Sequence, residues 1–299
     1  MQNKLITTSV FAAASTTAHA SKQGCARVLT SEVSPHQGLL IASGLVATEQ
    51  DEQGANCVAE SMVNYYRTAQ NPSIDEAFEK AQTDVANLIA HNFEEAALTE
   101  TSENSFQSTA MVALETDQHL ELGYLGNGGI FHLRGHYGLF LDDYIVPKLF
   151  TNYLMPHVGI DSGKLPLYGF IGPDNKHQTP PTLHRISKDN QVYGDILILC
   201  SDSIFTEEDR DLGRDRHNQL WKRWPHSLTL LLEHLNSFFE QDLHTTDQLQ
   251  SSLNDFLAAL HTTQNIKGDA SVAVYVSAKA LEFILRNRES VPKDHNLFV

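Results

Sequence analysis

Two aspartates stand where apolar runs stop. Asp202 follows ILILC (196–200), and Asp269 precedes SVAVYV (271–276). Carboxylates placed where buried strands meet solvent can converge on a hard cation such as Mg²⁺ or Mn²⁺, which takes oxygen ligands. The commoner role of an aspartate beside a strand is a turn or a cap, so a metal site is one of two readings. Other chemistry finds less footing. The 15 histidines include His132, His136, His157, His177 and His184, yet no His-x-x-x-His pair falls on a helical stretch, as a zinc site on a helix would need. Gly126-Asn127-Gly128-Gly129 lacks the Lys-Ser/Thr and following helix of a phosphate loop. It joins two apolar runs and reads as a β-hairpin turn. Neither Ser201 nor Cys200 has a base placed beside it in the sequence, and Trp221 and Trp224 flank a helix start as core aromatics would.

The elements that would position these residues follow from hydrophobic periodicity. Short β-rich runs occupy 4–14 and 38–43. A helix is expected over Asn56–Ala69, after Gly54 and before Asn71-Pro72. A second opens at Ser73 with Glu76 completing a capping box, and carries Ile74, Ala77, Phe78, Ala81, Val85, Leu88 and Ile89 at helical spacing. Three strands follow at 108–115, 120–126 and 129–135. From about 138 to 193 the chain is rich in Pro, Gly and His and shows no sustained period, which suits an irregular excursion with short elements. A strand at 194–203, helices at 227–240 and 246–262, a strand at 270–276 and a helix at 278–288 complete the chain. This order is α+β. Two antiparallel sheets packed face to face, with helices outside, explain strands that are apolar on both sides.

Length and composition bound the rest. A chain of 299 residues can bury roughly 75% of its unfolded surface. With no repeat and no low-complexity linker, one domain over 1–299 is the simpler reading. The 37 acids against 21 bases, a net charge of -16, argue against a nucleic-acid surface and against an anionic membrane. Cys25, Cys57 and Cys200 share no metal-ligand spacing and look like buried free thiols, pointing to a reducing, cytoplasmic compartment. Met1–Ala20 has Lys4 and an Ala18-His19-Ala20 cleavage-like end. Its apolar region, Leu5–Ala14, is interrupted by Thr7, Thr8 and Ser9, so it reads as a first β-strand rather than a secretory signal. No run approaches the ~18 apolar residues of a membrane span.

Five blocks, in order, resemble the metal-dependent protein phosphatase family, type 2C. GDILILCSDSIFTEED (194–209) is similar to its "GD-x-LLL-x-SDG-hydrophobic-x-D" block, and KGDASVAVYV (267–276) to its closing "DN-x-T/S" strand. STAMVALETDQHLELGYLGNGGIFHLRG (108–135) resembles the strands around its "GDSR" turn. GLLIASGLVATEQDEQGANCVAESMVNYY (38–66) resembles the strand, "DGHGG" loop and helix. QGCARVLTSE (23–32) loosely resembles the opening "G-x-R-x-x-N-E-D". The resemblance implies a four-layer αββα sandwich and a centre for Mg²⁺ or Mn²⁺.

It also implies an altered site. The aspartate that bridges two cations in the family corresponds to Ser43, with Gly44 retained, and the following small residues are Leu45-Val46-Ala47. The aspartate of "GDSR" corresponds to Asn127, the glycine after "SD" to Ser203, and the asparagine after the last aspartate to Ala270. Asp202 and Asp269 correspond to surviving metal carboxylates, with Glu32 as a third and Gly44 beside them. A two-metal centre needs a shared oxygen ligand between cations ~3.5–4 Å apart, and a neutral Ser43 hydroxyl offsets their repulsion less than a carboxylate. One ion or none is therefore expected. Glu49, Asp51 and Glu52 offer relocated carboxylates, although acids gather before helix N-termini in any case. Arg27 is the nearest guanidinium for a phosphate, and Arg134 reads as a surface charge. The expectation is a phosphatase-like protein with an impaired binuclear centre, a pseudophosphatase that binds a protein partner or phosphoprotein as a regulatory module. An active Mg²⁺/Mn²⁺-dependent serine/threonine phosphatase is the alternative.

Overall fold

Strands that are apolar on both sides need cover on both sides, and each finds it. The computed structural model describes residues 8–16, 24–33, 36–44, 49–93, 106–126, 128–134, 148–150, 170–172, 180–188, 194–204, 212–214, 220–222, 226–240, 245–263, 266 and 268–282. One five-stranded sheet has the order β1 (Val10–Thr16), β12 (Ala270–Val276), β9 (Asp195–Cys200), β6 (Gly129–Arg134), β7 (Lys148–Phe150). The second runs β2 (Gly24–Thr30), β3 (Gln37–Gly44), β4 (Ser108–Glu115), β5 (His119–Leu125), β8 (Thr182–Ser187). Every pairing within them is antiparallel. A separate ribbon pairs β10 (Leu212–Arg214) with β11 (Leu220–Lys222).

Side chains alternate across a strand with period two, so each strand serves two cores. On β12, Val272, Val274 and Val276 join the helix-side core, whereas Ala273 and Tyr275 face the other sheet. On β9, Ile196 and Ile198 lie on the helix side, and Leu197 and Leu199 lie between the sheets. On β3, Leu40 and Ala42 meet helices while Leu39 and Ile41 meet the first sheet. Helices α1 (Glu49–Thr68) and α2 (Ile74–Phe93) cover the second sheet through Val58, Met62, Tyr66, Phe78, Ala81 and Val85. Helices α3 (His226–Glu240) and α4 (Thr246–Thr262) cover the first through Leu231, Leu235, Leu249, Leu253 and Leu257. The result is the expected α+β arrangement, two antiparallel sheets flanked by helices.

Several local expectations are corrected by packing. Helix α1 begins at Glu49, not after Gly54. A Cβ on Gly54 would stand 2.4 Å from the carbonyl oxygen of Phe106, so this glycine permits a close approach inside the helix rather than marking its boundary. The Gly126–Gly129 stretch does not close a hairpin: β5 pairs with β4 and β8, while β6 pairs with β9 and β7 in the other sheet. Gly126 and Gly128 take φ of +99° and +106°, the left-handed region that glycine enters without penalty, and carry the chain from sheet to sheet. At α2, the Tyr65 hydroxyl stands inside the expected capping box, accepting from Ser73 N–H (3.0 Å) and donating to Glu76 Oε2 (2.6 Å). A capping box does form at α4, between Thr245 and Gln248. Within the excursion expected at 138–193, β7 and β8 are regular, and β8 extends the second sheet. The helix expected at 278–288 is described over 278–282. Among the described residues no helix is long and apolar enough to cross a membrane.

Candidate functional site

One end of the sandwich gathers the strand termini. In the second sheet the last rungs pair Ser43 with Gly24 on one side and with Thr109 on the other, and Gly44 with Ser108. In the first sheet the corresponding rungs pair Ser15 with Ser271, Val272 with Cys200, and Cys200 with Gly129. Asp269 is buried one residue before β12. The backbone of Asp202 opens a short 3₁₀ turn, Asp202–Ile204, directly after β9. The two turns lie side by side, since a Cβ on Gly268 would sit 3.7 Å from Ser203 Oγ. The fold therefore brings Asp202, Asp269, Ser43 and Gly44 to the same end.

Glu32 is not brought there. Strand β2 starts on the Ser43 rung at Gly24 and runs away from it, so Glu32 lies past the opposite end. Eight residues of extended chain span about 26 Å. There the Glu32 amide donates to Arg67 O (3.0 Å), and its carboxylate lies 4.0 Å from Arg67 Nε at an exposed position. Arg27 is also exposed, pairs mid-strand with Leu40, and donates from Nη1 to Ala26 O (3.0 Å). The backbone of Arg134 pairs with Asp195 at the far end of β9. Glu49, Asp51 and Glu52 form the first turn of α1 rather than a turn preceding it, where their charge complements the helix N-terminus. Asn127, Trp224, His136, His157 and His177 lie outside the described residues.

Hydroxyls gather at the strand ends beside these turns. Ser15 Oγ and Ser271 Oγ are 3.0 Å apart, and Ser15 Oγ accepts from the Ala26 amide at 2.8 Å. The Ser271 amide donates to Ser201 Oγ (3.0 Å), and the Ser201 amide returns a bond to Ser271 O (2.9 Å). A Cβ on Gly24 would lie 2.8 Å from Ser271 Oγ and 3.8 Å from Ser43 Oγ, so the serines of both sheets approach one another there. The Ser43 carbonyl accepts from Ser108 Oγ (3.2 Å) and Thr109 Oγ1 (3.3 Å). Among the described residues, no group of three His, Cys, Asp or Glu side chains is gathered as a metal would require. Ser43 offers a neutral hydroxyl where the resemblance implies a bridging carboxylate. Among the described residues, the hydroxyl at position 43 does not supply the shared anionic oxygen that the cations of a binuclear centre need.

Nucleophilic alternatives are closed by burial. Desolvation pushes the Cys25 thiol up to about 11, with Sγ donating to Ala55 O at 3.4 Å. Burial, reinforced by Asp84 and Glu60, does the same for Cys57. Neither is a thiolate near neutral pH. Ser201 is buried and already bonded to β12. No sequence signal marks Ser15, Ser108 and Ser271: a serine at a strand end has no distinguishing pattern, and their partners lie up to 256 positions away.

A family model described as Protein phosphatase 2C matches residues 26–143. Among solved structures, the S. agalactiae serine/threonine phosphatase is similar at 11% identity, with 89% of this chain and 98% of that chain covered and a TM-score of 0.58. The catalytic domain of the serine/threonine protein phosphatase PstP, solved in complex with 2 manganese ions, gives 14%, 90% and 98%, at 0.56. The Mycobacterium tuberculosis serine/threonine phosphatase PstP/Ppp gives 14%, 90% and 99%, at 0.54. At such identities the likeness is one of fold. No curated protein matches the sequence.

Proposed function

We propose, for a chain with a protein phosphatase 2C-like fold, a single-domain pseudophosphatase that keeps the αββα frame and uses it to bind a protein partner or phosphoprotein. The observation that carries this reading is Ser43 at the end of β3, within a cluster of neutral serines. Hydrolysis by two cations depends on a bridging anionic ligand that generates hydroxide and holds both ions. A serine hydroxyl stays protonated at neutral pH and supplies no such charge. Three free cysteines, Cys25, Cys57 and Cys200, support a cytoplasmic setting, since thiols of secreted proteins are commonly paired.

An active Mg²⁺- or Mn²⁺-dependent phosphatase is the second reading. It draws on Asp269, buried at the same end as Asp202, and on the manganese-bound relative. The two readings separate in one assay: hydrolysis of a phosphothreonine peptide by the full chain in millimolar Mn²⁺, with Asp202→Asn as control. The pseudophosphatase reading expects no turnover above the control. Turnover that disappears in Asp202→Asn overturns it and makes the chain an enzyme with a rebuilt site.

A further inference from the structure

We infer that the serine cluster ties the two sheets together at this end of the sandwich without any divalent metal. Ser15 belongs to the first sheet and Ala26 to the second, so the 2.8 Å bond from the Ala26 amide to Ser15 Oγ crosses between them. That amide belongs to β2, an edge strand, and an edge amide turned inward needs a partner once it is buried. Ser15 supplies one and passes the chain of bonds on: Ser15 Oγ to Ser271 Oγ (3.0 Å), then the Ser271 amide to Ser201 Oγ (3.0 Å) on the next strand. Three strands, β2, β1 and β12, and the end of a fourth, β9, are thereby linked by two hydroxyls and the Ser201 side chain. Ser271 and Ser201 are buried and Ser15 is half-buried.

The physical contrast is one of charge. Several carboxylates gathered in a buried place repel one another, and each is costly to desolvate, so such a site holds together only with its cation. Hydroxyls carry no net charge, and each both donates and accepts. A cluster of them satisfies itself and the backbone around it with nothing added. The inference goes beyond the functional reading, because a partner-binding module needs no particular tie at this end. Its test reads stability, while the peptide assay reads chemistry.

The test is a thermal melt of the full chain in millimolar EDTA and again in millimolar Mn²⁺. The expected result is one Tm in both buffers, with Ser271→Ala lower by about 2–4 °C in each. A rise on the order of 5–10 °C in Mn²⁺, as saturating ligand would give, overturns the inference, and so does a Ser271→Ala variant as stable as the parent. The metal comparison needs only the unmodified protein. Should Ser271→Ala fail to fold, Ser15→Ala removes the crossing bond together with the Ser15–Ser271 contact, and amide exchange at Ala26 in EDTA is then severalfold faster than in the parent. Unchanged exchange at Ala26 would equally overturn it.

Discussion

At the scale of single residues, Ser43 decides more than any other position. Its hydroxyl and that of Ser271 on β12 both approach Gly24, with Ser108 and Thr109 fixing its carbonyl. Ser43→Asp would add a carboxylate to the end that already gathers Asp202 and buries Asp269. Without a cation the new charge is uncompensated, and the variant is expected to lose about 1–3 kcal/mol, read as a lower urea midpoint. With millimolar Mn²⁺ the loss should be recovered in part, because a hard cation now has a carboxylate to bind. Midpoints identical in EDTA and Mn²⁺ would mean that position 43 does not lie where a shared ligand could act.

Elements carry the next set of consequences, and Gly54 shows how they diverge from residue propensities. Replacing a mid-helix glycine by alanine ordinarily stabilises a helix by about 0.8–1 kcal/mol. Helix α1 is the exception expected here, since the added methyl would stand 2.4 Å from Phe106 O and 2.6 Å from its carbonyl carbon. Those are backbone atoms, and Phe106 is held at φ 66° two residues before β4 begins, so the contact cannot be relieved by a side-chain rotation. Overpacking of this kind costs about 1–3 kcal/mol, which exceeds the propensity gain. Gly54→Ala should therefore lower the denaturant midpoint, and a stabilised variant would show that α1 can move away from β4.

Across the whole molecule the two ends of the sandwich are tied by opposite means. At the serine end the ties are neutral hydroxyls and backbone amides. At the other end Glu115 Oε1, on the second sheet, accepts from Tyr275 (2.7 Å) and Ser9 (3.0 Å) beside the first sheet and from Lys188 (2.9 Å). Burial, and then the Glu115 charge, holds the Tyr275 hydroxyl far above its ordinary value, and burial does the same for Tyr66. The raised value favours the protonated folded state. Its contribution is complete below about pH 10, the ordinary tyrosine value, and declines above it as the unfolded chain ionises first. Each such tyrosine should cost about 1.4 kcal/mol per pH unit, on top of an earlier decline from the raised thiols of Cys25 and Cys57 above about pH 9. Denaturant melts from pH 8 upward should be flat and then fall, with Tyr275→Phe falling less steeply. An equal slope in both proteins would remove Tyr275 from the account.

Much of the frame was legible in the sequence. Burial is written in local pattern: ILILC and SVAVYV announce strands covered on both faces, and Leu249, Leu253 and Leu257 announce one face of a helix. The departures at Ser43 and Asn127 could be read against the family blocks because each stands directly after such a run. The tertiary structure alone decided where those runs go. Gly126 and Gly128 resemble a hairpin turn locally, yet the strand that each apolar run joins depends on partners far along the chain, Ile198 for Phe131 and His184 for Leu122. Glu32 was assigned to the site from the QGCARVLTSE block; the strand of that block starts at the site, and an antiparallel sheet sends its other end away. The serine tie was hidden for the same reason, since a hydroxyl 256 residues from its partner leaves no periodic trace, and only the packing of one sheet on another brings the two within bonding distance.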